Sequence, residues 1–316
     1  RFKGMPYVPT KEILGDAYAK VYGVGAFNIN NLEFLQAVIG AGVEESSPVL
    51  IEVSEGAVKY AGYGQVQRGA DTLYAMVKRY ADTVKIPVAL HLDHGKDFKY
   101  IVACIKAGFG SVMIDASALP YEENLKETLR IVEIAHAVGV SVEAELGTLK
   151  GIEDNVEAAE SILVDPAQAE DFVKRTRVDF LAPAIGTSHG AFKFKGEARL
   201  DIRRLKKVKE LTGIPLVLHG ASSVPEEMVD LANRYGGKIE GAKGVPFQVL
   251  KECVEAGINK VNTDTDLRIT FLGVLRKALT DKPSEIDPRK LFGPAVESVK
   301  EVVKARMRVL GSSGRA

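Results

Sequence analysis

The chain has 316 residues, 46% of them hydrophobic, with 42 basic and 42 acidic side chains and a formal net charge of zero. That balance leaves no basic excess to bind nucleic acid or an anionic membrane surface, and no apolar run approaches the roughly 18 residues of a membrane span. Residues 1–10 lack the apolar core of a signal peptide, and only Cys104 and Cys253 occur, so a cytoplasmic protein without a disulfide framework is expected.

One rhythm runs along the chain: a short Val-, Ile- and Leu-rich segment, polar or glycine punctuation, then an amphipathic stretch. Eight segments read as strands: 24–28, 49–54, 87–93, 111–115, 141–147, 180–186, 215–220 and 258–264. Helical patterns lie between them at 31–46, 71–83, 98–107, 122–138, 167–176 and 200–211. Pro87 and Pro215 follow an Ile just before a strand, and Gly108, Gly139 and Gly257 sit where a helix closes with a left-handed residue. Strand–helix alternation without long hairpins means a parallel sheet covered by helices, and eight units close into an α/β (β/α)₈ TIM barrel. No composition shift marks a second domain, so residues 1–316 read as one barrel domain. Two regions exceed the repeat: a long, charged, glycine-containing connection at 147–166, suited to a mobile lid, and an appended C-terminal helix at 287–311.

Alternate strand residues face opposite sides of a sheet. Leu90, Leu92, Val112, Ile114, Val142, Ala144 and Val261 form an apolar set for packing against helices. The opposite set is polar: Ser54, His91, Asp93, Asp115, Glu143, Glu145, Lys260, Asn262 and Asp264. Glu143 and Lys260 read as a buried ion pair, since buried charges need partners. Lys260 is also the one inward lysine, the sole candidate for a covalent Schiff base, and the expected pairing argues against that chemistry. Several further carboxylates converging in one cavity repel each other unless a cation sits among them.

Histidine completes that argument. His94, His189 and His219 each lie at or just past the C-terminal end of a predicted strand, as a three-His zinc site with an open position requires. His136, inside a helix, reads as an ordinary structural histidine, and His91 as a supporting or core residue. Asp93-His94 also resembles the end of the metallo-β-lactamase metal motif, but that fold needs antiparallel layers that this alternation denies. The loops after the seventh and eighth strands read His219-Gly220-Ala221-Ser222-Ser223 and Asn262-Thr263-Asp264-Thr265-Asp266-Leu267-Arg268. Their small residues, the Ser222 and Thr265 hydroxyls and Arg268 make a phosphate cradle, to which Gly190 and Lys193 can add.

Six motifs in order, covering nearly the whole chain, carry a family resemblance. They are Gly23-Val24-Gly25-Ala26-Phe27-Asn28, His91-Leu92-Asp93-His94-Gly95, Glu143-Ala144-Glu145-Leu146-Gly147, Gly186-Thr187-Ser188-His189-Gly190, Leu218-His219-Gly220-Ala221-Ser222 and Asn262-Thr263-Asp264-Thr265-Asp266. The sequence resembles the class II, zinc-dependent fructose-1,6-bisphosphate aldolases. The resemblance implies Zn²⁺ on His94, His189 and His219, with Asp115 and Glu145 behind the ligands and Asp93 exchanging a proton with the aldehyde-side hydroxyl. It places the triose phosphate and a monovalent cation, Na⁺ or K⁺, among Gly190, Lys193, Gly220, Ser222, Asn262, Asp264 and Thr265, with Asn28 and Ser54 near the substrate. Some members carry two adjacent Glu in the long loop; here it reads Gly151-Ile152-Glu153-Asp154, so that acid's role passes to Glu153, with Asp154 as substitute. Arg289 matches an arginine that reaches a neighbouring subunit's site, implying a homodimer or homotetramer; Arg268 is the in-chain candidate for the second phosphate.

The implied reaction is the reversible cleavage of fructose 1,6-bisphosphate to two triose phosphates, with zinc stabilising the enediolate and Asn262 hydrogen-bonding the developing oxyanion. Tagatose bisphosphate, or another ketose bisphosphate, is the alternative substrate. A zinc hydrolase or a phosphosugar-binding protein would use only part of the same residue set.

Overall fold

The computed structural model describes residues 6–148, 151–153, 156–158, 162–187, 200–239 and 243–316. Strands β1 (Val24–Asn28), β2 (Val49–Ser54), β3 (Val88–Gly95), β4 (Ser111–Ile114), β5 (Ser141–Leu146), β8 (Phe180–Pro183), β9 (Leu216–Leu218) and β10 (Ile258–Thr263) close into a parallel barrel in that order, with β10 returning to β1. The fold is a (β/α)₈ barrel, and all eight barrel strands fall inside or close to the expected segments. The connection after β5, expected as plain loop, instead contains a short antiparallel pair, β6 (Gly151–Glu153) and β7 (Val156–Ala158). The appended C-terminal helix is present as Pro288–Leu310. No helix among the described residues is long and apolar enough to cross a membrane.

Local chemistry explains where the helices begin and end. Asn31, Asp97, Asp165, Asp201 and Asp287 each accept a backbone N–H of the first helical turn, satisfying donors that have no partner within the helix. Gly108, Gly139 and Gly257 have positive φ, as their place after helices demands. One helical expectation was misplaced: the pattern read at 71–83 begins five residues earlier, as Val66–Ala81, because the Tyr63-Gly64 turn ends before it.

The barrel interior is layered. Helix Thr10–Lys20, which the strand–helix rhythm did not anticipate, buries Ile13, Leu14 and Ala17 against Val24, Ala26, Leu50, Ala89, Phe180 and Val217 and so closes the N-terminal end with an apolar plug. Above the plug, Glu52, His91, Glu143 and Lys260 are all fully buried. Above these lie Asn28, Ser54, Asp93, Glu145, His219 and Asn262, toward the C-terminal strand ends. The apolar residues of opposite parity, Leu90, Leu92, Val112, Ile114, Val142, Ala144 and Val261, pack instead in the large cluster between sheet and helices. Interior polarity thus rises toward the end where barrel enzymes carry their chemistry.

Candidate active site

Asp93 and His94 are consecutive in β3, so regular alternation would send them to opposite faces. His94 adopts φ +45°, and the β3–β4 register slips between Leu92 and Gly95. This break in the pleat lets both side chains reach one cavity. That cavity is lined by Asn28, Asp93, His94, His219, Gly220, Ala221, Ser222 and Asn262.

Asp93 is gripped by two amides: Asn28 Nδ2 donates to its Oδ2 and Asn262 Nδ2 to its Oδ1, each at 3.0 Å. Burial raises the cost of its charge, but neighbouring His94, His219 and Lys260 and the Asn28 hydrogen bond outweigh that cost and hold the carboxyl below its ordinary range. The orientation of Asn262 is set from below, where Lys260 Nζ donates to its Oδ1 at 3.0 Å. An ammonium has only donors, so the amide must turn its NH₂ toward Asp93, and its second N–H has no acceptor among the described residues.

Each imidazole is backed by a carboxylate. His94 Nδ1 lies 2.9 Å from Asp115 Oδ2, and Asp115 Oδ1 in turn accepts from the Ser117 hydroxyl at 2.7 Å. Burial disfavours the charged His94 ring, yet Asp93 and Asp115 more than compensate and push its pKa up to about 9. His219 is flanked on both nitrogens, with Nδ1 2.8 Å from Glu145 Oε2 and Nε2 2.8 Å from Glu143 Oε1. Against its burial, these two contacts raise its pKa well above the ordinary histidine value. The His94 and His219 rings lie 4.6 Å apart, and ligand atoms of Asp93, His94 and His219 all fall within 4.8 Å of one another. Imidazoles held by carboxylates are the donor set of a divalent metal site, where a metal would take the place of a proton that His219 otherwise shares with one of its two carboxylates. The residues present therefore fit a metal ion.

Of the anion-binding candidates, Gly220 and Ser222 line this same cavity. Asp264 N donates weakly to Ser222 Oγ at 3.4 Å, tying the β10 loop to the β9 loop, and Thr265 opens helix Thr265–Asp281. Arg268 Nε is engaged by Asp264 Oδ1 at 2.7 Å. Ser54 lies opposite Asp93 in the β2–β3 register, and its hydroxyl caps the helix that follows by accepting from Ala57 N at 3.2 Å. Arg289 is not brought to the cavity of its own chain: its side chain is 90% exposed and bonded to Asp287. His136 pairs with Asp179 away from the site. His189, Gly190, Lys193 and Asp154 lie outside the described residues, and Glu153 falls in β6.

The fold and this geometry have known counterparts. Residues 8–315 match the family model described as "Fructose-bisphosphate aldolase class-II". The chain belongs to that family. It is 54% identical to a fructose-bisphosphate aldolase of Helicobacter pylori over 98% of this chain and 99% of that one. A fructose-bisphosphate aldolase of Thermus caldophilus is 50% identical, with 96% and 98% covered. Among solved structures, the YdjI aldolase of Escherichia coli K12 superposes with a TM-score of 0.79 at 30% identity, covering 98% of this chain and 99% of that one.

Set against this class-II aldolase membership, the sequence reading missed four side chains around the site. Glu52 shares Lys260 with Glu143, at 2.5 Å and 2.8 Å from the ammonium, and its parity with Ser54 was the available signal. Ser117 orients Asp115. Asp266 and Arg306 hold the loop after β9, and no sequence pattern marks Arg306.

Proposed function

We propose that the chain catalyses the reversible aldol cleavage of fructose 1,6-bisphosphate to dihydroxyacetone phosphate and glyceraldehyde 3-phosphate, as a cytoplasmic homodimer or homotetramer with one barrel domain per chain. The observation that carries this reading is one cavity lined by two carboxylate-backed imidazoles, an amide-held Asp93 and the small-residue loop Gly220–Ala221–Ser222. His94, His219 and His189 would hold Zn²⁺, with Asp115 and Glu145 orienting the described pair. Bound there, Zn²⁺ supplies Lewis-acid stabilisation of the charge that develops on the substrate's carbonyl side.

The chain's own residues do the rest. Asp93, kept ionised and fixed by two amides, takes the proton of the hydroxyl on the carbon that becomes the aldehyde and returns it in the reverse direction. Asn262, turned by Lys260, offers its second N–H to the developing oxyanion. Glu153 exchanges the proton on the triose-phosphate carbon. Gly220, Ser222, Asp264 and Thr265 cradle one phosphate together with Gly190 and Lys193, and these residues would also hold a Na⁺ or K⁺ ion to balance its charge. Asn28 and Ser54 border the sugar. Arg268, or Arg289 from a neighbouring subunit, grips the second phosphate.

The test measures triose phosphate release from fructose and tagatose bisphosphates side by side, with and without a chelator. Faster release from the fructose substrate, loss on chelation and recovery with zinc or cobalt are expected, and His94→Ala and His219→Ala should lose bound metal. Faster turnover of tagatose bisphosphate would reassign the substrate. Full activity in a verified metal-free sample would overturn the metal reading.

A further inference from the structure

The C-terminal helix Pro288–Leu310 buries apolar residues and a single charged one, Arg306, which is fully enclosed. Its Nη2 donates to the Ala221 carbonyl at 2.9 Å and to Asp266 Oδ2 at 2.7 Å. Asp266, also buried, accepts from the backbone N–H of Ser223 through Oδ2 (3.1 Å) and of Val224 through Oδ1 (2.6 Å). One guanidinium and one carboxylate therefore join three segments: the loop after β9, the first turn of helix Thr265–Asp281 and the C-terminal helix. The loop needs such a clamp. Val224 sits at φ +49°, a left-handed conformation that a β-branched residue adopts only where its surroundings impose it.

Packing alone does not account for an arginine at this position. Arg306 Nε and Nη1 have no hydrogen-bond partner among the described residues. An apolar side chain would fill the space without that desolvation cost. What the guanidinium secures is the direction of one peptide. In a trans peptide the Ala221 carbonyl and the Ser222 N–H point opposite ways. Anchoring the carbonyl on Arg306 turns the Ser222 N–H away from the C-terminal helix, in the loop that lines the cavity with Asp93 and His94.

We infer that Arg306 is a positioning residue for the substrate's phosphate: through Ala221 and Asp266, which takes the Ser223 and Val224 N–H groups, it holds the β9 loop so that the Ser222 N–H faces the anion. The inference rests on the phosphate cradle proposed above. Both of its bonds leave a single nitrogen, so a lysine ammonium can make them and methionine cannot.

The experiment compares the metal-loaded parent protein with Arg306→Met, Arg306→Lys and Asp266→Asn. It measures binding of inorganic phosphate by calorimetry, KM and kcat for fructose 1,6-bisphosphate, and metal content. Arg306→Met should weaken phosphate binding and raise KM by about tenfold, a modest share of what a displaced positioning group can cost, while kcat and metal content stay near the parent values. Arg306→Lys should restore most of the affinity, and Asp266→Asn should weaken phosphate binding in the same direction. If Arg306→Met does not fold, Asp266→Asn and Arg306→Lys carry the comparison. Unchanged phosphate affinity in the folded variants overturns the inference. So does a fall in kcat and metal content with phosphate binding intact, which marks a general structural role. A parent protein that fails to bind phosphate removes the cradle itself, and this inference with it.

Discussion

Lys260 Nζ lies 2.5 Å from Glu52 Oε1, 2.8 Å from Glu143 Oε2 and 3.0 Å from Asn262 Oδ1, fully enclosed beneath the candidate site. Its contact fixes the orientation of Asn262, and no covalent role is expected of it. Lys260→Met, made together with Glu52→Gln so that fewer buried carboxylates lose their cation, should lower kcat by about 10²-fold with metal content retained. Borohydride treatment of the parent protein with substrate should leave its mass unchanged; an adduct on Lys260 would reverse this assignment. The two carboxylates cannot be neutralised equally by one ammonium. Glu143, despite its burial, is held well below the usual carboxylate range by Lys260 and by its His219 contact, whereas burial pushes Glu52 up to about 8. A carboxyl that binds its proton more tightly folded than unfolded adds stability below its unfolded value and loses it as pH rises through its folded one. Glu52→Gln mimics the protonated form at every pH. Its Tm relative to the parent should therefore climb between about pH 5 and about pH 8, by about 3 °C or more. A difference that stays flat across that range in calorimetric scans would show that Glu52 does not titrate there.

The connection after β5 leaves and returns through a narrow neck. Thr148 and Ile162 exchange two backbone hydrogen bonds of 2.9 Å, and β6 pairs with β7 farther along. At the neck, Gly147 has φ +79°, and a Cβ there would stand 2.3 Å from the Ile162 carbonyl and 2.7 Å from Ala184 Cβ. Both conformation and space demand glycine. Gly147→Ala should cost about 2 kcal/mol in denaturant unfolding, as strained or overpacked positions do. An unaltered midpoint would mean the neck relaxes freely. The same element carries Glu153. Glu153→Gln should slow solvent exchange of the triose-phosphate proton by about 10²-fold or more, with metal content preserved. Exchange at the parent rate would pass the role to Asp154 or elsewhere.

Assembly bears on the second phosphate. Within its own chain Arg289 is exposed and held by Asp287 at the start of the C-terminal helix, which suits either a surface cap or a group offered to a neighbour. On the shared-site proposal, Arg289→Ala mixed with inactive His219→Ala should regain activity, because hybrid assemblies contain one intact combination of the two residues. Subunit exchange must be followed in parallel by native mass spectrometry. Activity that stays at the level of Arg289→Ala alone, with exchange demonstrated, would confine the site to one chain.

The barrel was legible from the order of residues because its period is local: strand parity, proline and glycine punctuation and eight repeated units are all written within short windows. The same parity located Asp93, Glu145 and Asn262 on the inner face, and two of the strand-end histidines, His94 and His219, line one cavity. Parity also misleads at one point. His94 follows Asp93 directly and reaches the same cavity only because a left-handed residue and a register slip break the pleat, a backbone event with no composition signal. The apolar plug from Thr10–Lys20 and the pairing of Lys260 with Glu52 depend on elements far apart in the chain. So does the reach of Arg306 to Ala221, across 85 positions. Side chains acting across the barrel wall leave no periodic trace, since each contact is fixed by how closed strands and helices pack and not by spacing along the chain.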